Sequence, residues 1–301
     1  MNKFELSSSY YLVFENLDCV QQSLPDGVFY DQHNLTFDNK EPLEIQIVYF
    51  LDENVDVSLH YQFKKNTQVH IIESKFLKKN ASLHKILNLE ENANVRIFQE
   101  NQTNVNEKAS YEDKVYLQRD ASCHCGYAEL SEGDIEAHYH YYLDGENAEA
   151  KIRMAVLSQE KQNKHYEILI QHNQPHTLGQ MDNYGVVKDL GRLVLDGIGT
   201  ITKGQHGSEA HQTNKIMVFD PDCVASANPY LFIDEFDVKA SHAAGVGKMD
   251  EEHLYYLQSR GLSKKQAMQL ITYGYLKPVI EVIDNEMMKE HFEKVLSKVG
   301  A

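Results

Sequence analysis

Between residues 43 and 239 apolar and polar positions alternate with a period of two. Val55-Asp56-Val57-Ser58-Leu59, Val69-His70-Ile71-Ile72, Asn94-Val95-Arg96-Ile97-Phe98 and Glu167-Ile168-Leu169-Ile170 are short β-branched runs, separated by clusters of Asn, Asp, Gly and Glu. Runs of this kind predict strands joined by tight turns. No long amphipathic helix interrupts them, so the crossovers of an ordinary α/β sheet are missing, and a sandwich, a barrel or a solenoid is left. Strand-like pieces at 192–195, 198–202, 215–219, 230–233 and 236–238 alternate with corners at Gly197, Gly204, Gly207 and Asp220-Pro221-Asp222. Short strands with small residues at the corners suit a β-solenoid, in which each coil buries its apolar side chains on the next. A sandwich is the competing arrangement, and no exact repeat period is visible.

After residue 248 the period becomes helical. Asp250, ahead of Glu251 and Glu252, supplies an N-cap and negative charge at a helix start, and Arg260-Gly261 supplies a cationic last turn and the glycine that ends it. Ser263 with Gln266 is a capping box, after which Ala267, Leu270, Ile271, Gly274 and Tyr275 fall on one face of a second helix that stops near Pro278. Met288, Phe292, Val295 and Leu296 predict a third amphipathic helix. The expected organisation is a β body over residues 1–248 and a C-terminal helical domain over 249–301. Helix faces of this kind either dock on the body or form the groove or ridge that a partner meets.

With 45 acidic and 29 basic side chains the formal charge is −16. Such a surface repels phosphate backbones and anionic lipid and favours a basic protein partner, although it also simply keeps a protein dispersed. Neither nucleic acid nor membrane is expected as a partner. The N-terminus lacks a charged-then-apolar leader, and the longest apolar stretch, 43–51, is interrupted by Glu44 and Gln46; a cytoplasmic location is expected. Cys19, Cys123, Cys125 and Cys223 are too sparse and irregular for a secreted disulfide framework, so reduced thiols are the expectation.

Among the 15 histidines, the sharpest cluster is Cys123-His124-Cys125 followed by His138-Tyr139-His140. Residues two apart on a strand share a face, so each pair could offer two ligands to one ion, though the spacing matches no closed zinc module. His-x-His also resembles the metal motif of cupin barrels. Gly133, His138, His140 and Glu146 approach that pattern with the spacing off by one on each side, and the companion motif is missing near His206 and His211. A metal-dependent cupin-like enzyme using His138 and His140 is therefore the alternative reading. No nucleophile elbow, phosphate loop or dinucleotide fingerprint is present, and Gly245-Val246-Gly247-Lys248 is too short to cradle a phosphate.

The stretch 210–277 is more specific. His211-Gln212-Thr213-Asn214-Lys215 precedes Asp220-Pro221-Asp222-Cys223-Val224-Ala225-Ser226-Ala227-Asn228-Pro229. Then come Asp237-Val238-Lys239-Ala240-Ser241-His242-Ala243-Ala244-Gly245-Val246-Gly247 and Asp250-Glu251-Glu252-His253-Leu254-Tyr255-Tyr256-Leu257-Gln258-Ser259-Arg260-Gly261-Leu262. In order and spacing this resembles the C-terminal half of the SufB/SufD family, scaffold proteins of the SUF iron–sulfur cluster machinery. SufB-type chains carry a cysteine where this chain has Asn214 and an acidic residue where it has Ala243, so the likeness is to SufD. The resemblance implies a right-handed parallel β-helix with a C-terminal helical domain, and a non-enzymatic scaffold role. It implies pairing with a SufB-like paralogue through the end of the β-helix, with a homodimer when that partner is absent. It further implies docking of a SufC-like ATPase on the tail, for which Glu251, Leu254, Tyr255, Leu270 and Tyr275 are the candidates. His242, among the small neighbours Ser241, Ala243 and Ala244, is the candidate ligand for iron or an iron–sulfur cluster held transiently; its bland reading is a corner histidine satisfied by backbone. Two departures are notable. Strand-like sequence begins near residue 43, leaving little room for the helical region that usually precedes the β-helix. Ala240 stands where some relatives have cysteine, leaving Cys223 as the nearby thiol.

Overall fold

The computed structural model describes residues 6–104 and 106–282, with 286, 289, 290 and 293 beyond them; Met288, Phe292, Val295 and Leu296 lie outside the described residues. The chain opens with β1 (Tyr11–Glu15), β2 (Asp18–Ser23), β3 (Val28–Asp31) and β4 (Asn34–Phe37). Longer strands follow: β5 (Leu43–Leu51), β6 (Val55–Phe63), β7 (Gln68–Leu77), β8 (Ala81–Leu89), β9 (Asn94–Thr103), β10 (Lys108–Leu117), β11 (Ser122–Glu129) and β12 (Asp134–Leu143). The last are β13 (Glu149–Ser158), β14 (Asn163–His172), β15 (Leu178–Val187), β16 (Arg192–Ile201), β17 (Ser208–Val218), β18 (Val224–Ile233) and β19 (Val238–Lys248). The helices α1 (Glu251–Ser259) and α2 (Lys264–Leu276) and a 3₁₀ segment, Lys277–Val282, complete the described tail.

Odd-numbered strands from β5 to β19 pair only in parallel with their odd neighbours, and even-numbered strands from β6 to β18 do the same in a second sheet. The two sheets face each other across one core, so every coil contributes one strand to each, and the molecule is a parallel β-solenoid of about eight turns rather than a sandwich. Alternation places one inward row upon the next. Ile45, Ile71, Ile97, Cys125, Ile152, Met181, Gln212 and His242 occupy one register position along the first sheet. The coil length drifts: Leu43 pairs with Val69, 26 residues on, whereas Leu178 pairs with Glu209, 31 on. That drift hides the repeat.

The Asn- and Asp-rich separators are the corners. Asn66, Asn92, Asp120, Asn147 and Asp189 all have φ between 57° and 65°, the left-handed region in which short polar side chains are tolerated best. They also bond to one another from coil to coil: Asn92 Nδ2 donates to Asn66 Oδ1 at 2.8 Å and Asn147 Nδ2 to Asp120 Oδ1 at 3.0 Å. Gly197, expected at a corner, is instead inside β16; a Cβ there would sit 2.9 Å from Asn214 Nδ2 and 3.0 Å from Met181 Sδ. The absent side chain makes room for inward neighbours. Strands also begin earlier than residue 43. β1 with β2, and β3 with β4, form antiparallel pairs that lie across the first coil's edges, capping that end of the stack.

The core is not wholly apolar. Glu73, Lys75, Lys85 and Asp113 are all fully or almost fully buried between the sheets. Lys85 Nζ reaches Glu73 Oε1 at 3.0 Å, Gln99 Oε1 at 2.7 Å and Asp113 Oδ2 at 3.2 Å, while Lys75 Nζ lies 2.9 Å from Glu73 and 4.7 Å over the Tyr111 ring. Burial alone would raise the Glu73 carboxyl, but Lys75 and Lys85 hold it at about 2. Burial of such charges is tolerable only while each keeps its partner. Lys85→Met is therefore expected to lower the unfolding free energy by about 3 to 5 kcal/mol, measured as a shift in denaturant midpoint. Because the folded pKa of Glu73 is depressed, its stabilising contribution is complete above 4.5 and declines as pH falls towards about 2. Glu73→Gln should remove that step from the acid-unfolding profile.

Candidate functional site

The stack ends differently at its two ends. Nothing among the described residues pairs with the outer edges of β18 and β19, which leaves two rows of backbone donors and acceptors and the inward side chains of the last coil uncovered. Those side chains are Ala225, Ala227, Pro229, Leu231 and Ile233 on β18 and Ala240, His242, Ala244 and Val246 on β19, by register with the buried rows beneath them. Tyr230 and Phe232 on the outer face of β18 are exposed as well, their rings nearly parallel at 6.4 Å.

His242 is the one ionisable group in this inward set. It lies in mid-strand, not at a corner, and its imidazole is exposed with no hydrogen bond to any described residue. Alternation turns its neighbour Ser241 outward, where Ser241 Oγ meets His211 Nδ1 at 2.8 Å. Directly below, Gln212 Nε2 donates to the Tyr230 carbonyl at 2.9 Å while its buried Oε1 has no partner. Asn214, in the adjacent row, accepts from Asn183 Nδ2 at 2.9 Å. The core beneath the histidine is thus lined with amides, in contrast to the isoleucine rows deeper in. Gln212 and Asn183 were missed from sequence, although Gln212 is in phase with Ala210 and therefore inward. Cys223 is half-buried in the corner before β18, with Sγ 3.6 Å from the Asp189 carbonyl, and burial raises its thiol pKa; a resting thiolate is disfavoured.

The other sequence candidates are distributed elsewhere. Cys123 and Cys125 point into the core with their sulfurs 3.6 Å apart, and His124 points out to Glu149 at 2.6 Å. His138 and His140 stand on the outer face of the second sheet. The two pairs therefore share no site, and His138 and His140 are outside a solenoid rather than inside a barrel, which removes the cupin reading.

The tail follows the expected caps: Asp250 accepts from the Glu252 amide, and Ser263 and Gln266 form the reciprocal box. Its faces differ from expectation. Ala267, Thr272 and Leu276 are the buried residues of α2, and Leu270 and Gly274 face away. Leu276, Val279 and Ile280 pack on Ile72, Phe98, Ala128 and Ala155, outward residues of the first sheet. Tyr275 lies edge-on to Tyr184 at 5.9 Å and is half-buried where the tail meets the first sheet. Glu251, Tyr255 and Leu270 are exposed, Leu254 is half-buried, and α1 buries no residue at all.

The fold and this end define a parallel β-solenoid closed at its beginning and, among the described residues, open at its finish, with a histidine on the open core. The family described as SUF system FeS cluster assembly, SufBD core domain, matches residues 53–275, and the chain belongs to that family, as a SufD-like member. It is 31% identical over 180 residues to the iron-sulfur cluster assembly protein SufD of Bacillus subtilis, covering 60% of this chain and 41% of that protein. It is 27% identical over 158 residues to SufD of Escherichia coli, covering 52% of this chain and 37% of the other. A SufBD family protein of Mycobacterium bovis is 28% identical over 149 residues. The matched stretch thus spans about two fifths of the SufD relatives' length. Among the described residues no helix is long and apolar enough to cross a membrane.

The docking of the tail has a direct readout. Leu276→Ala, removing a fully buried side chain, should cost about 2 to 5 kcal/mol of local stability. Hydrogen exchange should speed up over residues 264–280 and stay unchanged over 43–63, which the tail does not touch.

Proposed function

We propose that the chain is a non-enzymatic scaffold subunit of iron–sulfur cluster assembly, which pairs end to end with a SufB-like paralogue. The observation that carries this reading is His242 itself: an unpartnered imidazole at the end of an inward row, on an edge that a second β-solenoid would continue. A neutral imidazole nitrogen is a good ligand for iron, and the small side chains of Ala240 and Ala244, its neighbours on the inward face, leave a cluster room to approach. Iron or the cluster is cargo here, held transiently between subunits. Open edge strands and exposed apolar side chains also favour self-association when the paralogue is absent.

A SufC-like ATPase would dock on the face carrying Glu251, Tyr255 and Leu270. The exposure of Tyr255, Tyr256 and Leu270 supports this, because aromatic and aliphatic groups left in solvent are typical of interface cores. Nucleotide-driven movement of the partner would reach the open end through α1, which follows β19 directly.

The test is co-purification of the tagged chain with SufB-like and SufC-like proteins, followed by anaerobic reconstitution. His242→Ala should leave the complex intact and lower its iron and acid-labile sulfide several-fold. Tyr255→Ala with Leu270→Ala should release the ATPase alone. No complex with the paralogue would sink the scaffold reading; an unchanged cluster yield in His242→Ala would remove the ligand.

A further inference from the structure

The outer face of the second sheet carries a row in which ionisable groups succeed one another coil by coil. His84, Glu112, His138, Glu167 and Asp196 hold one register position on β8, β10, β12, β14 and β16. His140, two residues along β12, shares that face, so both histidines reach the carboxylate of the next coil. His140 Nε2 lies 2.7 Å and His138 Nδ1 3.4 Å from the same oxygen, Glu167 Oε1. The three ligand atoms lie within 4.8 Å of one another. Metal–ligand bonds of about 2.0 to 2.2 Å need donors only slightly rearranged from this spacing. The two rings are inclined at 78°, so they converge instead of stacking.

The surroundings resemble those of a ligand set more than those of a chance cluster. His138 Nε2, the nitrogen turned away from Glu167, is 3.3 Å from Glu136 Oε1. Glu136 is in turn held by His165 Nδ1 at 2.7 Å, and His165 Nε2 by Asp196 at 2.8 Å. A carboxylate on the far nitrogen is what fixes the tautomer and orientation of metal-binding imidazoles. His138, His140 and Glu167 are only part-buried, which leaves coordination positions for solvent.

We propose that His138 Nδ1, His140 Nε2 and the Glu167 carboxylate bind a divalent first-row transition ion, Zn²⁺ or Fe²⁺, across two successive coils. Two imidazoles and a carboxylate suit these ions, whereas magnesium and calcium prefer all-oxygen sites and cuprous ion prefers thiolates. The site is on the solenoid wall and uses residues of this chain alone. It needs neither the open end nor a partner, and it stands or falls independently of the scaffold reading.

The experiment titrates the metal-free full chain with Co²⁺, read by its ligand-field absorption, and then displaces the Co²⁺ with Zn²⁺ or, anaerobically, with Fe²⁺. One equivalent is expected to bind, with Zn²⁺ displacing the Co²⁺ at near-stoichiometric addition and Fe²⁺ only in excess, as the affinity order of these ions requires. His140→Ala and Glu167→Gln should each weaken binding more than tenfold with circular dichroism unchanged. Glu136→Gln, which touches no metal, should weaken it about tenfold and alter the Co²⁺ spectrum. His84→Ala, two strands away on the same row, should change nothing. Absence of a stoichiometric site, displacement by neither ion, or full affinity in His140→Ala and Glu167→Gln would overturn the assignment.

Discussion

In-register parallel stacking is the constraint on which the remaining features depend. Each strand lies about 4.8 Å from its neighbours in the same sheet, so every side chain has one residue above it, one below, and little else within reach on its row. An apolar inward position therefore demands an apolar one in the next coil, as Ile45, Ile71 and Ile97 show. A charge placed inward must find its partner on an adjacent or facing strand. Glu73 and Lys75 on β7 meet Lys85 on β8 and Asp113 on β10, and two positive groups balance two negative ones inside a single core. The same geometry makes ladders on the outside, where the His138–Glu167 contact joins two residues 29 apart in sequence.

A stacked row has no natural end, so its termination must be supplied. At the start the chain supplies it with two antiparallel pairs, β1 with β2 and β3 with β4. At the finish no described strand does so, and the part of β19 around His242 is built from small residues: Ala240, Ser241, Ala243, Ala244 and Gly245. Lysines, which commonly guard an exposed edge, occur on β19 only at Lys239 and Lys248, near its two limits. The middle of the edge is left bare around His242. The exposed end of the core itself is thus what sets this coil apart, because a group that would be buried in any earlier coil becomes accessible there.

What was legible in the sequence was what local rules determine. Period-two runs became strands, Asn and Asp clusters became left-handed corners, and the caps at Asp250 and at Ser263 with Gln266 formed as read. Register was not legible, because the coil length drifts and no local rule fixes which residues lie above one another. Without register, His138 and His140 could not be joined to Glu167, nor His242 recognised as the continuation of the Ile45 row. The splitting of β16 at Gly197 was a related error: glycine was read as a corner when its role is to leave space for Asn214 and Met181. The buried ions were hidden for the opposite reason. Glu73 and Lys75 stand in phase with Ile71, and parity would have placed them inward had charge not suggested solvent.

The breaks in alternation carry information too. Ile71-Ile72, Ile97-Phe98 and Tyr127-Ala128 each add one apolar residue to the outward face and Ala155-Val156-Leu157 adds two, and those outward residues are the ones that Leu276, Val279 and Ile280 cover. The tail is therefore specified twice, by its own apolar positions and by the irregular strands beneath it. Matching of that kind explains why α2 turns Ala267, Thr272 and Leu276 to the body and leaves Leu270 outside. No such match exists for α1: it buries nothing, yet it carries Tyr255 and Tyr256 in the open. A helix held in place by its neighbours while its aromatic side chains stay in solvent has a face that no described residue covers, and it lies next in sequence to the open edge of β19.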